Sequence, residues 1–319
     1  MSGILSALVT VFGIIFLGLV AERRRIFAPS MALCLNQFVY WVSLPALIFM
    51  QMCTIPMDGA QPFIWGTLAA SLLFYLAAYL FFSRFWKRHD PIVTIRTLAA
   101  AFPNAAFFGL PFIFMVFPGN EEAVSAGMLG ALLYTGVFLT ADATLDMLSP
   151  GREKKGLGLR LFKELTHNPM LVSALIGASL GFFGVPVPTA FVKIAEMLGS
   201  TAAPCALFGM GMVLSAQLSG TAGAGEGFSR KNIAVVAVLK LLLQPLVTFL
   251  ALLAAGCSGT ALITGTVTAA MPTATMVYIL GERYRARPME ASMTVIATTL
   301  LSLLTLPLVM FALSLAGLV

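Results

Sequence analysis

Two prolines deep in apolar sequence, Pro103 and Pro272, are each followed by side chains that can hydrogen-bond: Asn104 after the first, Thr273 and Thr275 after the second. The stretches read T-L-A-A-A-F-P-N-A-A-F-F-G-L-P (97–111) and T-V-T-A-A-M-P-T-A-T-M-V-Y (266–278). Laid together, they align Thr97 with Thr266, Ala100 with Ala269, Ala101 with Ala270, Pro103 with Pro272 and Ala105 with Ala274. Proline has no N–H and its ring clashes with the preceding turn, so a helix breaks at each. Gly109 and Pro111 interrupt the first stretch further. Where a helix restarts, its first amides lack partners and its end carries about half a positive charge. That is the chemistry that holds a carboxylate. The candidate ligand contacts are therefore Pro103, Asn104, Ala105, Gly109, Pro272, Thr273 and Thr275. The plainer reading is that the prolines only kink packed helices; the matched positions, with Asn and Thr following the breaks, favour a site.

Other chemistry-bearing residues are scattered. Lys240 lies deep in V-A-V-L-K-L-L-L-Q-P, where a cation is costly; it attracts an anion, pairs with a carboxylate, or snorkels to the nearer face. Asp142 and Asp146 sit one helical turn apart, either as a proton or cation site or as a solvated helix end. With Lys240 they are the candidates for coupling or charge. Pro45 and Pro204 form a second matched pair and read as packing kinks; Gly177 and Gly181 read as a close helix contact. The cysteines Cys34, Cys53, Cys205 and Cys257 have no metal or redox spacing and read as buried small hydrophobes. No phosphate loop, nucleophile motif or metal cluster stands out, so neither a cofactor nor a metal nor catalysis is expected.

The elements that must position these residues are membrane helices. The chain is 59% hydrophobic and 10% charged with mean hydropathy +0.96, far from the quarter or so of charged residues in soluble domains. Ten apolar runs of spanning length lie near 3–21, 29–51, 61–83, 92–117, 121–146, 167–185, 188–217, 231–256, 260–281 and 290–318. The basic groups Arg23–Arg25, Arg84 to Arg96, Arg152 to Lys163, Arg230–Lys231 and Arg283 to Arg287 occupy alternate loops and hold 17 of the 19 lysines and arginines. The positive-inside rule places those loops in the cytoplasm and both termini outside. The net charge of +6 is thus a topology signal and not a nucleic-acid one. Five spans per half invert the second half, giving a first repeat over 1–146, a cytoplasmic linker over 147–166 with a short interfacial helix or a solvated basic stretch, and a second repeat over 167–319. The expected class is an all-α membrane protein of ten helices in two inverted repeats, with helices four and nine broken and crossed.

Residues 103–111, P-N-A-A-F-F-G-L-P, resemble the P-N-x-x-F-x-G-x-P signature of the bacterial auxin efflux carrier family. The stretches 36–49, 199–214, 240–245 and 298–307 are similar to that family too, so the resemblance covers nearly the whole chain. It implies a fold related to sodium/proton antiporters, working as an elevator with helices 1, 2, 6 and 7 as scaffold and 3–5 and 8–10 as the transport part. It implies a secondary carrier of small organic anions in a bacterial inner membrane, malonate or malate first; uniport, proton coupling and sodium coupling stand as alternatives, and a homodimer through the scaffold is what an elevator often forms. The short central loop differs from plant members, as does Pro272-Thr273 where those have an Asn near the crossing. A carrier of a monocarboxylate or auxin-like acid, and a membrane sensor or accessory subunit that binds without transporting, are the other readings.

Overall fold

The structure, a computed structural model, describes residues 2–28, 30–54, 60–85, 90–148, 166–221 and 229–316. The proposed linker helix near 157–165 falls outside the described residues. Among the described residues the chain is helical, with no strand; its one β-type pairing is an isolated antiparallel bridge between Pro103 and Thr273. In order come α1 (Ser2–Arg23), α2 (Met31–Phe38), α3 (Leu44–Thr54), α4 (Gln61–Phe85), α5 (Pro91–Ala101), α6 (Leu110–Val116), α7 (Glu121–Leu148) and α8 (Pro169–Phe182). They are followed by α9 (Thr189–Ser200), α10 (Ala202–Thr221), α11 (Arg230–Val238), α12 (Gln244–Ala254), α13 (Gly259–Ala270), α14 (Met276–Arg283) and α15 (Pro288–Leu315).

Among the described residues, seven helical runs are long and apolar enough to cross a membrane, so the chain is a multi-pass membrane protein. The other apolar runs are shorter: α5, the stretch Ala105–Val116, and α8. At about 1.5 Å per residue, the 11 residues of α5 reach about 16 Å, half of a bilayer core of about 30 Å. The break at Pro103 accounts for the first two, since it splits what the hydropathy alone reads as one continuous span.

Three π turns explain how the remaining prolines are accommodated. They cover Val39–Ser43, Ala105–Gly109 and Leu239–Leu243, and each ends two residues before a proline: Pro45, Pro111 and Pro245. Proline cannot supply the i→i−4 donor and clashes with the carbonyl it would have met. A widened turn ahead of it takes up that mismatch without ending the helix. Pro204 has a different outcome: α9 and α10 are parted by a turn at Thr201, whose hydroxyl meets Ser43 Oγ at 2.7 Å.

The chain forms two compact units. The first comprises residues 1–59, 106–128 and 156–216. Glycine lets its backbones meet directly. A Cβ on Gly211 would lie 1.9 Å from Ile15 O, and one on Gly18 2.1 Å from Phe208 O, so α1 and α10 touch main chain to main chain. Gly177 and Gly181 do the same against the carbonyls of Phe49 and Cys53 on α3. Phe108 packs edge-on to Phe12 with centroids 5.6 Å apart. Of the four cysteines, only Cys257 is buried; Cys34 is exposed on its helix, as a small apolar side chain facing lipid can be.

The second unit comprises residues 60–105, 129–155 and 217–319. Its core gathers Phe74, Phe82, Leu98, Tyr134, Val277 and Leu280 from four helices. Every residue of α5 from Ile92 to Ala101 is buried, as is every residue of α13 from Leu262 to Ala270. Asp90 caps α5, its carboxylate accepting from the Ile92 amide at 3.0 Å ahead of Pro91 at the first helical position. Both helices that lead into the breaks are thus enclosed by protein, the condition under which irregular backbone survives in a membrane.

The α1–α10 contact is open to test. Gly211→Ala and Gly18→Ala each force a Cβ into a carbonyl and should destabilise the purified protein by about 2 kcal/mol. Gly13→Ala, with nothing within 4 Å of its Cβ, should leave the melting temperature unchanged.

Candidate functional site

The two breaks meet. The Asn104 amide donates to Pro272 O at 2.8 Å and the Ala274 amide donates to Phe102 O at 3.1 Å. Pro103 lies opposite Thr273 between these two bonds. In antiparallel pairing that is the position whose own N–H makes no cross-strand bond, so it is the one place in the ladder where proline fits. The sequence around each break thus sets its register: a donor-less residue in the middle, amides on either flank.

Further bonds fix the crossing in place. Thr273 Oγ1 donates to Ala99 O at 2.8 Å, and the Thr273 amide donates to Thr298 Oγ1 at 3.2 Å. Thr298 belongs to a run of buried hydroxyls on α15 with Thr294, Thr299 and Ser302, which donate back to their own helix. These hydroxyls went unremarked in the sequence, though their spacing of four and five residues on an apolar helix would have found them.

The residues expected from sequence to meet a ligand differ in their surroundings. Thr273 is fully buried and both its donors are committed within the protein, so it builds the crossing and has no hydrogen to give an anion. The Asn104 amide is likewise committed, while its carboxamide lies in the crossing at 4% exposure. Ala105 is buried beside it, and Thr275 is half-buried as the residue before α14. Pro103 and Pro272 shape the bend. Gly109 closes the π turn and belongs to the first unit, whereas Pro103, Asn104, Ala105, Pro272, Thr273 and Thr275 belong to the second.

Lys240 neither snorkels nor meets a carboxylate among the described residues. It is wholly buried, and its Nζ donates to Gln244 Oε1 and, at 2.8 Å, to Ala269 O. Gln244 Nε2 passes the chain on to Ala101 O at 2.8 Å. Asp142 and Asp146 do not form a solvated helix end. Tyr284 Oη bonds both carboxylates, at 2.8 Å to Asp142, and Arg283 Nη1 stands 3.7 Å from Asp142.

One buried pair escaped the sequence altogether. Arg96, counted there among the cytoplasmic loop residues, is 4% exposed inside α5. It makes a two-pronged bond to Glu290 in the first turn of α15: Nε to Oε1 at 2.6 Å and Nη2 to Oε2 at 3.0 Å. Both charges sit inside apolar segments, which was the one available signal; a partner 194 residues away is invisible to local patterning.

A family model described as membrane transport protein matches residues 3–157 and 155–310. A protein of Rhizobium meliloti (strain 1021) named "Putative malonate transporter" is 26% identical over 299 residues, covering 92% of this chain and 91% of its own. "Uncharacterized transporter YfdV" of Escherichia coli (strain K12) is 24% identical over 310 residues, covering 94% and 95%. "Uncharacterized transporter MJ1031" of Methanocaldococcus jannaschii is 23% identical over 305 residues, covering 92% and 94%.

Cutting one partner of a buried pair leaves a bare charge, whereas replacing both with apolar groups need not cost anything. Arg96→Met and Glu290→Leu should each destabilise by about 3 kcal/mol. The double variant should melt closer to the wild type than either single one, read by thermal unfolding in detergent.

Proposed function

Because the chain belongs to the auxin efflux carrier family of membrane transport proteins, we propose that it is a secondary carrier of small organic anions, dicarboxylates such as malonate or malate first among them. The observation that carries this is the pairing of two broken helices at Pro103 and Thr273 within a protein core. A helix starts afresh on the far side of each break, at Ala105 and at Met276. On the Met276 side the amides of Val277, Tyr278 and Ile279 donate to the carbonyls of Ala274 and Thr275, so what that helix start offers an anion is the positive end of its dipole. Two such ends suit the two carboxylates of a short diacid. Asn104 and Thr275 add side-chain hydrogen bonds, and the prolines keep the ends apart. The relative of Rhizobium meliloti, by its name, supports malonate as the first substrate to try.

Alternating access follows as an elevator. Helices α4 to α7 and α11 to α15 carry the ligand as the transport part, while helices α1 to α3 and α8 to α10 stay fixed in a bacterial inner membrane. The basic loops face the cytoplasm and the termini the outside. The carrier draws on a proton or sodium gradient; comparing flux under imposed proton, sodium and voltage gradients identifies which.

Uptake of radiolabelled malonate and malate into proteoliposomes tests the reading. Saturable flux is expected for at least one. Asn104→Ala and Pro103→Ala should each reduce it by about tenfold or more, the size of a lost charge-assisted hydrogen bond or of a misplaced helix start. Asp142→Asn should cost less than either. If the aspartate change alone were harmful, the ligand would lie away from the crossing.

A further inference from the structure

Lys240 stands on the π turn between α11 and α12, fully shielded, with neutral hydrogen-bond partners. What it binds is informative. Ala101, reached through Gln244, is the last residue of α5; Ala269, reached directly, is the last but one of α13. These are the carbonyl ends of the two helices that run into the crossing, and they are tied to one amine.

A helix carries about half a positive charge at its start and about half a negative charge at its end. Where two broken helices cross, two ends of each kind converge. Their fields oppose one another, so the dipoles alone give the crossing little net preference for either sign of charge. Held as an ammonium, Lys240 bonds Ala269 O directly and reaches Ala101 O only through the Gln244 amide, and so offsets the negative half of that balance. The positive starts at Ala105 and Met276 then stand uncompensated.

We propose that Lys240 sets the charge selectivity of this crossing, favouring anions, and dianions over monoanions, by neutralising the carbonyl ends of α5 and α13 without touching the ligand. It is a positioning residue acting through the helix ends, and Gln244 extends its reach from one helix to the other. The inference rests on the anion reading of the same site.

Three probes of like size and falling charge separate this role from a merely structural one: malonate, monomethyl malonate and malonamide. Their binding is measured at neutral pH on the full chain in nanodiscs. The wild type should bind them in that order. Lys240→Gln should weaken malonate by about tenfold or more and monomethyl malonate by about threefold, leaving malonamide unchanged, because each ligand charge feels the lost field separately. Lys240→Arg should keep the wild-type order. Gln244→Glu, which sets a carboxylate against the ammonium, should reproduce the graded loss by a second route, whether or not Lys240→Gln folds. Equal losses for all three probes would overturn the proposal, as would an intact gradation in the Gln244→Glu protein. A wild type that binds none of the probes would overturn the anion reading and this role together. Wild-type binding in the expected order, with the variants losing all three probes equally or none of them, would remove the role of Lys240 alone.

Discussion

Backbone hydrogen bonding away from water is the constraint on which the rest of this structure depends. An unpaired amide or carbonyl in hydrocarbon costs several kcal/mol, so a membrane helix cannot simply stop halfway. Here two stop, and each satisfies the other. Phe102 and Pro272 give carbonyls, Asn104 and Ala274 give amides, and Pro103, having no amide, occupies the position that needs none. The surrounding elements serve that exchange. α5 and α13 are sheathed on all sides, Thr298 caps the Thr273 amide from α15, and Lys240 with Gln244 collects the loose carbonyls behind the break.

The same arrangement frames the proposed site. A continuous helix hides its polar groups along its whole length, whereas a broken one exposes the charge of its ends at membrane depth. Pairing the breaks settles the register by hydrogen bonds between Asn104 and Pro272 and between Ala274 and Phe102. The buried Arg96–Glu290 pair ties the start of α15 to α5, so the hydroxyl-bearing helix that supports Thr273 is itself anchored to one of the broken helices.

Much of this was legible in the sequence, for physical reasons that differ by residue. Pro103 and Pro272 announce themselves because proline in an apolar run leaves few alternatives, and their aligned neighbours showed that the breaks correspond. Pro45 and Pro111 signalled disturbed helix, although a kink and a π turn look alike until the hydrogen bonds are seen. Other features were hidden because they depend on distant partners. Arg96 resembles any loop arginine until Glu290 is folded against it. Lys240 is costly in isolation and turns out to be held by helix ends from two other segments. Thr273 follows its proline as Asn104 does, yet the fold commits its hydroxyl to Ala99 O. Asp142 and Asp146 looked like a wet helix terminus because Tyr284, which joins them, is far along the chain.

Solid-state NMR dephasing between 13C-carboxylate malonate and protein labelled with 15N in its asparagine side chains addresses the central claim most directly. The account predicts a carboxylate carbon within about 4 Å of one labelled nitrogen, a hydrogen-bonded distance, with the signal lost in Asn104→Ala. Dephasing that persists in the variant would put the anion elsewhere and contradict the account, as would bound malonate with no dephasing in the wild type.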